Sequence, residues 1–160
     1  MPGSRDIIKV ADAVVTQLKN SLPTKLNTLD TEYDDGIVLR DIPPTHYFIS
    51  EQLKPPGFPL VQVTPDRTDM NPFNGENRYN IEYQHLKVAI ALSENVSEDI
   101  LTRKLGRTLR GAEEVFLENR TLSASVDDVI VMAKEYTPMF TNRNALMRGA
   151  LIRLRVMTRP

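Results

Sequence analysis

The chain has 160 residues, 41% of them apolar and 26% charged, with a formal net charge of −1. That fits one globular domain long enough to bury a real core. No apolar run approaches the roughly 20 residues that span a bilayer, and "MPGSRDIIKV" has no signal-type hydrophobic stretch, so membrane and exported classes are not expected.

The absence of cysteine rules out disulfides, thiolate nucleophiles and sulfur-ligated metals, and points to a cytosolic origin. Residues 1–80 carry 8 Lys/Arg against 11 Asp/Glu, and residues 81–160 carry 12 against 10. This asymmetry is too small to indicate nucleic-acid binding by itself.

In chain order, the first element is an amphipathic helix. Ile7, Ala11, Val14, Val15, Leu18 and Leu22 fall on one face. Ser4 is the expected N-cap, Asp6 sits in the first turn, and Pro23 is expected to end the helix because the residue before a proline is pushed out of the α region. Residues 24–58 contain Gly36, Pro43, Pro44, Pro55, Pro56 and Gly57. Within them "GIVLRDI" and "HYFIS" read as short strands kept away from central pairing by the prolines.

"PLVQV" (59–63) reads as a strand, and "RYNIEYQHLKVAIALS" as a longer one. In the latter Leu86, Val88, Ile90 and Leu92 alternate with Tyr83, His85, Lys87, Ala89 and Ala91, as in a sheet covered by helices on one side. The two strands form a long hairpin whose extended tip is Thr64–Asn80, with two Asp, one Glu and four Asn.

A second helix follows, with Ser97 as N-cap and Glu98 and Asp99 in its first turn. Its stripe is Leu101, Leu105, Leu109, Ala112 and Phe116, flanked by Thr108 and Val115, and Asn119 is a left-handed stop. Strands over 127–136 and 145–159 close the chain. In the last, Ala150, Ile152, Leu154 and Val156 alternate with Leu151, Arg153, Arg155 and Met157. The fold class is therefore α+β: a mixed or antiparallel sheet packed by two long helices, with an extended hairpin.

Chemistry is sparse. An EF-hand loop read back from Gly75 would need oxygen ligands at Asn74, Pro72 and Met70, so the pattern fails. Neither His46 nor His85 has a carboxylate placed by sequence to orient its ring. Asp34 and Asp35 in "YDDG" would share a metal with His46 in a metal-dependent hydrolase, whereas Asp-Gly alone makes a turn. No hydrolase, phosphate-loop or dinucleotide motif is present. No cofactor is expected.

The second helix carries Arg103, Lys104, Arg107 and Arg110 followed by Glu113, Glu114 and Glu118. That order opposes the helix dipole. It reads either as a solvated face with pairs such as Arg110–Glu114 or as a charged surface meeting another subunit or a polyanion. Arg153 and Arg155 on the last strand pose the same choice.

The whole order resembles the tail terminator (tail completion) proteins of the neck of tailed bacteriophages. An amphipathic helix, "IIKVADAVVTQLKNSL", precedes the proline-flanked "PPGFPLVQVTPD". "NIEYQHLKVAIALS" then leads into "SEDILTRKLGRTLRGAEEVFLEN", "RTLSASVDDVIV", "KEYTPMF" and "LMRGALIRLRVMTR". Asn119, Thr121, Leu122, Val126, Val129 and Arg148 through Val156 match the closing pattern. Leu26–Pro56 departs from it and would be an insertion contacting sheath, collar or connector.

The resemblance implies a non-enzymatic virion protein, made in the bacterial cytoplasm. It would form a ring, usually of six copies, that caps the head-proximal end of the tail tube and joins it to the head connector or stopper. DNA would pass through the lumen without sequence-specific binding, and no membrane is involved. Arg103, Lys104, Arg107 and Arg110 would then face the lumen or a subunit interface. Asp66, Arg67, Asp69, Asn71, Phe73, Asn74, Glu76 and Arg78 would form an inter-ring contact loop, and Arg153 and Arg155 a basic strand face. A connector stopper or adaptor is the nearest rival. A stand-alone nucleic-acid binder fits poorly, given pI ≈ 6.1 and no interleaving of aromatic and basic residues.

Overall fold

The structure, a computed structural model, describes residues 6–52, 54–72, 80–95, 97–142 and 145–159. Helix α1 (Ile7–Tyr33) begins at Asp6, whose carboxylate accepts from the Ile8 N–H at 2.9 Å, and ends at Asp34 in the left-handed region (φ 42). Asp6, expected inside the first turn, is thus itself the cap; Ser4, the expected cap, lies outside the described residues. The expected stop at Pro23 is wrong, since the helix runs ten residues beyond it. A proline inside a helix costs about 3 kcal/mol. Leu22, Leu26 and Leu29 are all buried, and burying each contributes about 1.5–3 kcal/mol, so tertiary packing outweighs the local rule.

The segment after α1 is also corrected. Residues 37–43 form no strand, and a single 3₁₀ turn (Pro44–His46) leads into the two-residue strand β1 (Tyr47–Phe48). Leu39 and Ile42 are nonetheless buried, and the Leu39 N–H donates to the Asp30 carboxylate at 3.0 Å. Side-chain acceptors and apolar anchors hold this stretch in place of a ladder, which Pro43 and Pro44 could not complete.

The hairpin strands β2 (Leu60–Pro72) and β3 (Asn80–Glu94) pair antiparallel from Leu60–Ala91 out to Pro72–Asn80. The polar stretch read as a tip is therefore mostly strand. It is polar because Asp66–Asp69 are all exposed, so no core selects apolar residues there. Residues 73–79 lie outside the described residues.

Helix α2 (Glu98–Glu118) starts as expected, with the Ser97 hydroxyl accepting from the Ile100 N–H at 3.1 Å. Its stop is not left-handed: Asn119 has φ −124. Its side chain and its backbone N–H both donate to the Val115 carbonyl, at 2.8 and 3.0 Å. The positive-φ reversal falls instead at Leu122, Ser123 and Ala124.

Strands β4 (Asp128–Tyr136), β5 (Phe140–Asn142) and β6 (Ala145–Thr158) complete a sheet ordered β1-β2-β3-β6-β4, with β5 also on β6. All pairs are antiparallel except β1 with β2. The alternation expected in β3 and β6 holds. Leu86, Val88, Ile90, Leu92, Ala150, Ile152, Leu154 and Val156 face a core shared with both helices, and their neighbours are half-exposed. The fold is α+β, with both helices on one face of the sheet.

Candidate functional site

The basic residues of α2 and the open face of the sheet are where the sequence placed function. On α2 each of the four expected cations has a partner. Arg103 donates to Asp99 at 2.9 Å one turn back, and Arg110 donates to Glu114 at 3.1 Å, the pair expected from spacing. Arg110 also reaches Glu32 at 3.4 Å and the Tyr33 hydroxyl at 3.2 Å, contacts that raise its pKa, the hydroxyl most of all. Lys104 donates at 2.7 Å to the nearly buried Glu94, which holds that carboxyl below its ordinary pKa.

Arg107 differs most from a surface cation. Its side chain is only 7% exposed. It grips Asp35 with both terminal nitrogens, Nη1 to Oδ1 at 3.0 Å and Nη2 to Oδ2, while its guanidinium carbon lies 4.0 Å from the centroid of Tyr33. The Asp-Gly turn after α1 is thus clasped onto α2. The Arg107 bond is the main cause that lowers the Asp35 pKa to about 2.

Because the folded value is depressed, the clasp stabilises fully above the ordinary value of 3.8 and loses that effect as pH falls through about 2. Wild type is therefore expected to exceed Asp35→Asn in unfolding free energy at pH 5, with the gap closing between pH 4 and 2. Urea titrations of both proteins across that window check it, and a gap that stays constant would refute the clasp.

The hydrolase constellation does not form. Asp35 is committed to Arg107, and His46 Nδ1 lies 2.9 Å from the Pro59 carbonyl. Among the described residues no group of three His, Asp or Glu is placed to hold a metal ion.

On the open face Asp66, the first residue of the expected contact loop with a described side chain, lies 3.7 Å from Lys87 and 3.8 Å from Arg153. Arg153 also donates to Glu135 at 3.1 Å. Asp69 is shared by Arg67 Nε at 3.2 Å and His85 Nε2 at 3.0 Å. His85 thus does have a carboxylate, supplied across the strand pair and invisible to sequence spacing. Arg155 stacks 5.0 Å above Tyr83, and its Nε is buried without a hydrogen-bond partner among the described residues.

A hollow of about 200 Å³ opens between Asp66, Arg67, His85, Met132 and Arg153. The Asn71 side chain, Phe73, Asn74, Glu76 and Arg78 lie outside what the structure describes. No helix among the described residues is long and apolar enough to cross a membrane.

No family model matches the chain, and no curated protein matches it. Among solved structures it is similar to a chain of "Virion of native gene transfer agent (GTA) particle", at 8% identity and a TM-score of 0.39, over 89% of this chain and 95% of that one.

Proposed function

We propose that the chain is a structural virion protein of the tail-terminator kind. Six copies close into a ring on the head-proximal end of a tail tube, stop its growth and dock the head connector or stopper. Tail sheath is a further candidate contact, and genomic DNA passes through the lumen without specific binding.

One observation carries this reading. The β2–β3 ladder continues to Pro72–Asn80 although Asp66–Asp69 are already exposed on β2. Beyond Glu82, the last β3 residue paired with β6, only β2 and β3 continue; such a two-stranded ribbon is marginal alone in water, and a neighbouring ring supplies the missing cover. The element order implied by the sequence resemblance, helix, hairpin, helix and two closing strands, agrees with it. With Arg103, Lys104, Arg107 and Arg110 already paired, a lumen they line would attract DNA only weakly, as passage requires.

The test is light scattering of the purified protein, alone and with tail tubes of the same phage. The expected result is a discrete six-copy particle, or a monomer that becomes a ring on tube ends and halts their elongation. A monomer that leaves tube length unchanged would overturn the reading.

A further inference from the structure

The geometry points to a specific joint between copies: β4 of one copy lies antiparallel along β2 of the next, so that the sheets of neighbouring copies run into one another. This deepens the ring reading and rests on it.

The two sheet edges carry the inference. On one side β1 covers only Val61 and Gln62, which leaves the outer edge of β2 from Val63 onward without a strand partner among the described residues. On the other side β4 pairs, among the described residues, only with β6. The strands β2, β3, β6 and β4 alternate in direction, so β2 and β4 run oppositely. A rotation about an axis along the strands brings β4 beside the β2 of a neighbour in antiparallel order, a head-to-tail contact that can close.

The bulges make the edges fit each other. From His85 to Lys87 on β3, and from Arg155 to Arg153 on β6, three residues cover the rows. Over those same rows β2 uses four residues, Thr64–Arg67, and β4 uses four, Ile130–Ala133. Each edge therefore carries one extra residue within the same three rows, Asp66 between the rows of Leu86 and His85 and Met132 between those of Leu154 and Arg153. A regular strand meeting either edge would meet its added twist unmatched, which is how bulges ordinarily blunt an edge. Two edges that each carry one extra residue within the same three rows regain a common register on either side of them and pair one to one, with Val63–Asp69 against Asp128–Lys134.

In that register Thr64 faces Ala133 and Arg67 faces Ile130. Pro65, which has no N–H to donate, lies against Met132, an apolar side chain 51% exposed in the isolated chain. The carboxylates set opposite each other, Asp69 and Asp128, already have their own cations in Arg67 and Arg120.

The native chain has no cysteine, so a disulfide placed across the joint reads it directly. Thr64 and Ala133 share a row but are separated by Lys87 and Arg153. That is three strand spacings, about 14 Å, beyond the roughly 7 Å that a disulfide allows between Cα atoms. Any bridge in Thr64→Cys/Ala133→Cys must therefore join two copies. Arg67→Cys/Ile130→Cys is the second pair and samples the other class of antiparallel partner.

After copper-phenanthroline oxidation of the assembled protein, on tube ends if it assembles only there, at least one double variant is expected to give a covalent ladder up to ring size. Each single variant is expected to give dimers at most. A particle of ring mass in which neither pair cross-links would overturn the joint and leave the ring standing. A protein that stays monomeric alone and with tubes would overturn both.

Discussion

Leu26→Ala is expected to lower the free energy of unfolding by about 2–5 kcal/mol, the range for emptying a fully buried leucine site. Leu26 is 1% exposed, and its Cδ2 lies 3.3 Å from where a Cβ on Gly111 would stand. The substitution discriminates between two accounts of the chain. Were α1 to stop at Pro23, Leu26 would begin an irregular segment and its truncation would cost little. With α1 continuous to Tyr33, Leu26 is a central contact between the helices, and its loss leaves a cavity that two rigid elements cannot collapse. Urea titration gives the answer: a drop of about 2 kcal/mol or more at unchanged slope supports the continuous helix. A change within about 0.5 kcal/mol would return the stop to Pro23.

The features legible in sequence were those whose causes are local. Helix α2 announced itself through Ser97, the acids of its first turn and a stripe from Leu101 to Phe116, all within one element. Strands β3 and β6 were readable because burial on one face imposes a period of two. The failures have the opposite character. Pro23 follows a strong local rule that is overruled by contacts with Gly111, far along the chain. From Thr64 to Pro72 the polarity of the sequence mimics a loop, whereas an uncovered strand has no reason to be apolar.

In the candidate site, the Arg110–Glu114 pair was readable from helical spacing, while the Arg107–Asp35 clasp joins residues 72 apart and had no local signal. The same holds for His85 with Asp69, and for the bulges that fall within the same three rows of β2 and β4. These exist only once the strands are paired.

Gly111 is where the crossing of the two helices can be tested most sharply. A Cβ there would stand 3.3 Å from Leu26 Cδ2 and 3.4 Å from both Leu22 Cδ1 and Leu29 Cδ1. Gly111→Leu is expected to destabilise by about 3 kcal/mol or more, the upper end for overpacking, because the added atoms force the helix axes apart. Gly111→Ala sets two effects of similar size against each other. Alanine gains about 1 kcal/mol of helix propensity, and Leu26 Cδ2, the tightest neighbour, must give way by a few tenths of an ångström, so a net change within about 1 kcal/mol of zero follows.

Coupling turns this near-cancellation into a decisive measurement. Leu26→Ala removes the tightest of the three neighbours, so the methyl group that Gly111→Ala adds should fit without displacing it. The double variant Leu26→Ala/Gly111→Ala is expected to be more stable than the sum of the singles by about 0.5–2 kcal/mol, within the range for residues in direct contact. Strict additivity in that cycle would mean that the side chains do not meet, and the two helices would then cross somewhere other than at Gly111.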